Sequence, residues 1–284
     1  MEKKINKKIN ILLTNTGDLA LKRRARSILE ELDPQSGDKI IDIGCGDGYY
    51  SYLLSGLGIQ LNLTGTDLNE EALETAKENL KDKNIPLIKA DLMKKLPFPS
   101  NTFDKAVMSE VAEHLPDDLK GLREVYRIIK PGGILALTVP HQNYPFLWDP
   151  VNWLLERIFK THIKSGFWAG IWNQHIRLYS KDQICEVLEK AGFKVEKAEV
   201  QTFWCLPFNH YLINIGFRLL KARVLPTNLH SQVNKFQQVN PKKRSFLPRL
   251  YFDTAQYVDN FNKRNNTKVG MTIFVKAEKP RGER

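Results

Sequence analysis

Gly44, Gly46 and Gly48 stand at alternate positions directly after an isoleucine-rich run, Ile40-Ile41-Asp42-Ile43, and before Tyr49. No other stretch restricts the fold of this chain so narrowly. The isoleucines favour a buried strand. Three closely spaced glycines end it in a tight turn whose backbone a ligand can approach with no Cβ in the way. A helix is expected to begin at or just after Gly48. This order of elements belongs at the carboxyl end of the first strand of a doubly wound sheet, where nucleotide-like ligands bind. Two ligand classes compete on spacing. Dinucleotide-binding turns read GxGxxG and offer helix N–H groups to a pyrophosphate. Here the spacing is GxGxG, and Tyr49 follows.

The rest of the chain alternates strand and helix patterns, which argues for a mostly parallel sheet with helices on both faces. Amphipathic spacing predicts a helix over Asp18 to Leu32, stopped by Pro34. Strands are predicted over Lys39 to Ile43, Leu61 to Thr66, Pro86 to Lys89, Phe103 to Met108, Ile134 to Val139, Phe193 to Val200 and Met271 to Lys276. Helices are predicted over Tyr49 to Ser55, Glu70 to Leu80 after the cap Asn69, from Asp117 or Asp118 through Lys130, and from Ser180 to Ala191. The expected fold is α/β, a Rossmann-like sheet of seven strands. The 284 residues are read as one domain, with a cofactor-binding core at 18–139 and with 180–200 and 270–280 closing the sheet. Two segments, 140–179 and 201–269, exceed ordinary connections and are expected to act as lid, substrate-binding or membrane-facing insertions.

Asp67 ends the second predicted strand, 21 residues after Gly46, where a carboxylate can accept hydrogen bonds from both hydroxyls of a ribose. Asp91 ends the third, where it or its neighbouring backbone can meet an adenine amino group. Either aspartate alone is more often a helix cap or a loop carboxylate. Three successive strand ends with suitable groups make a nucleoside pocket the better reading.

The segments IIDIGCGDGYY, GTDLNEEALETAK, IKADLMKKLPFPSNTFDKAVMSEVAEHL and LREVYRIIKPGG resemble, in order and spacing, the motifs of class I S-adenosylmethionine-dependent methyltransferases. The pattern is most similar to small-molecule O-methyltransferases of the ubiquinone-pathway type. The resemblance covers about residues 20 to 140 and resumes at 175–193 and 269–280. It implies a seventh strand that runs antiparallel. It also implies that Asp42, Gly44, Cys45, Gly46 and Tyr49 line the methionine end of the cofactor. Asp67 and Leu68 would hold the ribose, Asp91 and Leu92 the adenine, and Ser109 the floor of the pocket. The product would be S-adenosyl-L-homocysteine. A dehydrogenase is disfavoured by Tyr49 and by every motif from the third strand onward.

A sulfonium methyl group is already a good electrophile, so the protein must exclude water, align the acceptor and take up a proton. The groups for this lie just after the fourth strand, in Glu110-Val111-Ala112-Glu113-His114. Some O-methyltransferases of the family carry a similar Glu-x-x-Glu-His run whose residues bind a divalent metal together with a later histidine; His175 is the matching position. The run also occurs where no metal is used, and then His114 or His175 would act as base or positioning group. Glu110, His114 and His175 are the catalytic candidates, with His141 a weaker one.

The net charge of +11 resides entirely in the C-terminal part: residues 201–284 hold 15 Lys and Arg against 4 Asp and Glu. The basic excess therefore describes a partner of that part rather than the nucleoside pocket. Asp149 and Pro150 read as the cap and first residue of a helix, followed by the aromatic loop Gly166 to Trp172. A second helix, Phe208 to Val224, would present a polar stripe of His210, Asn214, Arg218 and Lys221 on an otherwise apolar surface. Such a helix suits a membrane interface, aided by Lys242, Lys243, Arg244 and Arg249, or a lid over an apolar substrate. Basic residues among aromatics also suit RNA. Cys45, Cys185 and Cys205 are far apart and form no CxxC pair, and no apolar run is long enough to span a membrane. The chain thus reads as a cytoplasmic enzyme, peripheral at a membrane in one version. It would act on a small or lipid-like acceptor, at oxygen before carbon or nitrogen. An RNA methyltransferase and a non-catalytic cofactor-binding sensor are the alternatives.

Overall fold

The computed structural model describes residues 2–208, 211, 215–216, 218–219, 226–262 and 268–282. Seven strands run through it: β1 (Lys39–Ile43), β2 (Asn62–Asp67), β3 (Leu87–Lys89), β4 (Phe103–Ser109), β5 (Ile129–Pro140), β6 (Lys194–Gln201) and β7 (Thr272–Glu278). They form one sheet in the order β3-β2-β1-β4-β5-β7-β6. β7 alone runs antiparallel to its neighbours. The order reverses between β1 and β4, so the carboxyl ends of these two strands flank the crevice where a doubly wound sheet takes its ligand.

Helices cover both faces. On one lie α1 (Glu2–Leu12), α2 (Leu19–Leu32) and α3 (Tyr49–Ser55), whose apolar residues pack on Ile40, Val107, Ala136 and Phe274. On the other, α5 (Asp118–Ile128) and α7 (Lys181–Lys190) cover Ile41, Ile43, Met108, Leu137 and Val275. The alternation of Ile40 against Ile41 and Ile43 is the period-two signature of a strand buried on both sides. Between them in the chain, α4 (Glu70–Asn79) packs on β2 and β3. Side-chain caps start the helices where the sequence places them: Asp18 for α2, Asn69 for α4, Asp117 for α5 and a Ser180–Gln183 capping box for α7.

One expectation needs correction, and the structure adds helices that the sequence pattern did not indicate. The helix from Asp118 stops at Ile128, and Ile129 and Lys130 already belong to β5, whose Ile129 pairs with Phe103. Pro131-Gly132-Gly133 therefore lies within the strand, not at a helix end. The Lys-rich N-terminus is a helix that buries Ile9 and Leu12 under α2 and α3. The second insertion contains α8 (Thr227–Val233) and the long α9 (Phe246–Asn262), neither of which periodicity indicated. Most of the expected helix over 208–224, including His210, Asn214 and Lys221, lies outside the described residues.

In the first insertion, α6 (Pro150–Phe159) starts at Asp149 as expected. No helix among the described residues is long and apolar enough to cross a membrane.

Candidate active site

The glycine turn is built for an approaching ligand on one side and for packing on the other. Gly44, Gly46 and Gly48 all have positive φ, at +65°, +54° and +83°. A Cβ on Gly44 would fall 2.3 Å from Val111, and one on Gly48 would fall 2.8 Å from Leu80. At Gly46 a Cβ would meet nothing within 4 Å, so this is the glycine that opens into free space. The turn is fixed from behind. Gly46 N donates to Asp67 Oδ2 at 2.8 Å, and Asn69 N donates to Asp67 Oδ1 at 2.8 Å. These two bonds hold the Asp67 carboxylate beside the turn and leave lone pairs for ligand hydroxyls. Leu68 beside it is 59% exposed.

Asp42 is buried and accepts from both the backbone N–H and the hydroxyl of Ser51, at 3.0 and 2.7 Å, through the same oxygen. It thereby anchors the start of α3 to β1. Burial pushes its carboxyl up to about 7, against these two hydrogen bonds. The Cys45 side chain is buried against Gly65 and its thiol is pushed up by burial. Tyr49 is buried as well, with its hydroxyl bonded to Thr16 and its ring beneath Lys235 and against Phe236 of the second insertion. Lys235 also pairs with Asp47 at 2.7 Å, so the insertion clamps the glycine turn. Asp91 accepts from Met93 N at 2.8 Å, whereas the Leu92 side chain is buried in the core. Ser109 donates to the Tyr50 hydroxyl at 2.9 Å and bonds Thr138 at 2.8 Å.

After β4 the run 110–114 divides into two stations. Glu110 adopts φ +56°. Its side chain accepts from Thr138 Oγ1 at 3.1 Å and pairs with Arg24 Nη1 at 3.1 Å. Arg24 is held well on the charged side by that contact despite its burial. Glu113 is fully buried, and neither carboxylate oxygen has a hydrogen-bond partner among the described residues. Its Oε1 lies 3.9 Å from His114 Nε2 and 3.8 Å from His175 Nε2. Burial, then the neighbouring Glu110, push the Glu113 carboxyl well above the usual range. His114 Nδ1 bonds the Gln174 carbonyl at 2.9 Å, which turns Nε2 toward the carboxylate. The two imidazoles stand edge to face with centroids 4.8 Å apart. His175 reaches the cluster because Ile176 N bonds the Glu113 carbonyl at 3.0 Å. His141 is elsewhere: it is buried and bonded to the Gly270 carbonyl, with burial lowering its pKa.

The sequence thus placed His114 and His175 together and identified the Glu-x-x-Glu-His run, but it put weight on Glu110 where the structure puts Glu113 at the centre. Arg24 and Tyr50 were missed, since nothing in helix periodicity marks a partner 86 residues away for Arg24. Among the described residues, Glu113, His114 and His175 are the group whose potential ligand atoms all lie within 4.8 Å.

A family model described as a methyltransferase domain matches residues 41–137. The cycloartenol-C-24-methyltransferase of Arabidopsis thaliana is 32% identical over 253 residues, covering 85% of this chain and 68% of the relative. A demethylmenaquinone methyltransferase of Staphylococcus haemolyticus is 28% identical over 188 residues, covering 63% and 77%. Among solved structures, the fold is shared with phosphoethanolamine N-methyltransferase 2 of Haemonchus contortus in complex with S-adenosyl-L-methionine. That match has a TM-score of 0.56 and 21% identity, covering 91% of this chain and 53% of that one. A methyltransferase from Methanosarcina mazei matches with a TM-score of 0.53 and 18% identity, covering 87% and 94%. The open glycine turn, the carboxylate behind it and this kinship agree, and the chain belongs to the class I S-adenosylmethionine-dependent methyltransferases, an enzyme of the small-molecule type.

Proposed function

We propose that the chain methylates a small, lipid-like molecule at oxygen, with Glu113 and its two histidines receiving the acceptor's proton. Glu113 carries this reading. A fully buried carboxylate without a hydrogen-bond partner among the described residues is unfavourable for the fold, and such groups persist where chemistry uses them. Bound S-adenosylmethionine supplies an electrophilic methyl group. The open side of Gly46 would admit its amino-acid end, Asp67 would accept from the ribose hydroxyls, and Asp91 with the backbone at Leu92 would meet the adenine. Ser109, fixed by Tyr50 and Thr138, would close the floor.

In the proposed reaction, Glu113 or an adjacent imidazole takes the proton from the acceptor hydroxyl. His114, 38% exposed at its side chain, passes it to solvent. The aromatic residues Phe167, Trp168 and Tyr211, with ring centroids 5.2 to 5.3 Å apart, join the two insertions and suit an apolar acceptor. The sterol and menaquinone named for the relatives point the same way. A lipid-like acceptor would bring the cytoplasmic enzyme to a membrane surface, and the basic excess of residues 201–284 suits an anionic one.

Two observations favour variants of this reading. The Arabidopsis relative is named for a carbon position, and the same base could remove a proton after carbon methylation. The donor set of one carboxylate and two imidazoles also suits a divalent cation, which would lower the pKa of an acceptor hydroxyl. Incubation of cell extract with the protein and methyl-labelled cofactor, followed by mass spectrometry, tests the proposal. A labelled lipid whose fragments carry the methyl on oxygen is expected. Label on carbon replaces oxygen as the site, and label confined to RNA overturns the lipid reading. Turnover unchanged by a chelator and by added Mg²⁺ or Mn²⁺ removes the metal.

A further inference from the structure

Away from the catalytic cluster, cationic side chains converge between α1, α2 and the second insertion. A cavity of about 540 Å³ there is lined by Lys22, Arg23 and Arg26 of α2 and by Arg244, Asp253 and Asp259 of the insertion. Four cations thus face two carboxylates. Arg23 is committed, donating to the side chain and backbone of Asp259. Arg26 reaches Glu30 at 3.1 Å and Asn10 at 2.6 Å. Lys22 and Arg244 make no ion pair with a carboxylate among the described residues. Lys22 Nζ donates to Gln256 at 3.1 Å. Arg244 is pinned by the Thr14 carbonyl and Asn15, and its guanidinium lies 3.7 Å from the centroid of the Phe252 ring. Its buried Nε has no partner among the described residues. Burial lowers the pKa of Lys22 against the pull of Asp259, and Arg26, Arg244 and Arg23 add to the lowering. The cavity therefore holds more cationic side chains than carboxylates to meet them.

One class of ligand suits such a space. A phosphate group brings negative charge and several strong acceptor oxygens to the Arg244 guanidinium and to the Lys22 ammonium, whose one hydrogen bond goes to a neutral amide. The helix that walls the cavity with Phe252, Asp253, Gln256 and Asp259 adds a second feature on its opposite, solvent-facing side. Along α9, Phe246, Leu250, Tyr257 and Phe261 recur at helical spacing and are 75, 53, 66 and 47% exposed. They lie on the side of the helix away from its buried face of Phe252, Ala255 and Asp259. An exposed apolar stripe on the same helix that walls a basic pocket fits a helix held at a lipid interface, with the pocket at its flank.

We propose that this cavity is a phosphate site, filled by the headgroup of an anionic phospholipid in preference to a soluble phosphate. It goes beyond the methyl-transfer reading: no residue of the catalytic cluster takes part, and binding is read without turnover.

The full chain would be floated with vesicles of phosphatidylcholine alone and of an equimolar mixture with phosphatidylglycerol, and titrated calorimetrically with inorganic phosphate. Flotation with the mixed vesicles only is expected. Lys22→Gln and Arg244→Gln should each weaken it about tenfold, as expected for a lost charge-assisted hydrogen bond. Because Arg244 also braces Thr14, Lys22→Gln is the variant that tests the site without disturbing the fold, checked by thermal melting. Leu250→Ser should reduce flotation without changing phosphate affinity. Phosphate binding with no flotation assigns the site to soluble phosphates and overturns the membrane source. Flotation that both charge variants leave intact overturns the pocket, and so does the absence of both kinds of binding.

Discussion

The Tyr211 hydroxyl donates to Asp149 Oδ1 at 2.8 Å, so one buried hydrogen bond joins the two insertions. Asp149 also caps α6 through Asn152 N, and its Oδ2 accepts from Asn152 Nδ2 and Ile171 N at 2.9 and 3.0 Å. Four donors on a fully buried carboxylate make it the organising centre where the two insertions meet. Tyr211→Phe removes one donor and should cost about 1–2 kcal/mol. That corresponds to a fall in Tm of about 2–8 °C for a chain of this size. Thermal melting and limited proteolysis of the second insertion would register the change; an unaltered melt with unaltered cleavage would refute the bond's role.

The same centre explains an unusual glycine. Gly170 has φ +56°, and a Cβ there would lie 1.7 Å from Asp149 Oδ2. Gly166 has φ +83°, yet its Cβ would meet nothing within 4 Å. Gly166→Ala should therefore cost only the backbone strain of its φ +83°, ψ −172° conformation, about 1–3 kcal/mol. Gly170→Ala adds a clash with a buried carboxylate and should cost more than about 4 kcal/mol. Urea melts of the two variants side by side would decide it, and equal losses would refute the packing argument.

At the cofactor, Asp67→Asn replaces an acceptor-only group by one that must point an NH₂ at either Gly46 N or Asn69 N. It also weakens the expected contact with the ribose hydroxyls. Calorimetric affinity for S-adenosylhomocysteine should fall about 10–100-fold, the equivalent of ~1.4–2.8 kcal/mol. A fall of less than twofold would remove Asp67 from the cofactor site.

Asp42 gives a pH dependence with a definite sign. Its folded value of about 7 lies above the 3.8 of an unperturbed aspartate, chiefly through burial. A raised folded value means that the contribution of this group is intact below pH 4 and is lost as pH climbs to about 7. Asp42→Asn keeps an acceptor for Ser51 but cannot ionise. Between pH 4 and pH 7 the wild-type protein should lose on the order of 2–4 kcal/mol relative to this variant. Urea unfolding of both across that range is the measurement, and parallel curves would contradict it.

These cases also mark where the sequence could be read and where it could not. Turn and cap chemistry is local, so Gly44 to Gly48, Asn69, Asp117, Asp149 and Ser180 announce their roles within four residues. The three strand ends expected to hold the cofactor carry local signals of the same kind, and the structure puts Gly46 beside the Asp67 carboxylate. α9 was not, because Pro248 falls near its start and apolar side chains lie on both its buried and exposed faces, which blurs the 3.6 period. Nor were Arg24–Glu110, Lys235–Asp47 and Tyr211–Asp149, which join elements through contacts that only the folded chain creates.

Glu113 allows a test that separates chemistry from architecture. Its carboxylate is buried, and neither of its oxygens has a hydrogen-bond partner among the described residues. Gln at this position keeps the volume and removes the ionisable group, so Glu113→Gln should melt at or above the wild-type temperature. If Glu113 manages the acceptor's proton, the same variant should lose about 10²–10⁴-fold in kcat. Cofactor affinity should hold, because the glycine turn is untouched. Glu110→Gln should behave in the opposite way. It strips the carboxylate partner from the half-buried Arg24 and should lower Tm, since breaking a partly solvated pair costs about 1–3 kcal/mol. Thermal melts paired with steady-state kinetics on the methylated acceptor would distinguish the two. A Glu113→Gln enzyme with wild-type kcat would take the proton away from this cluster.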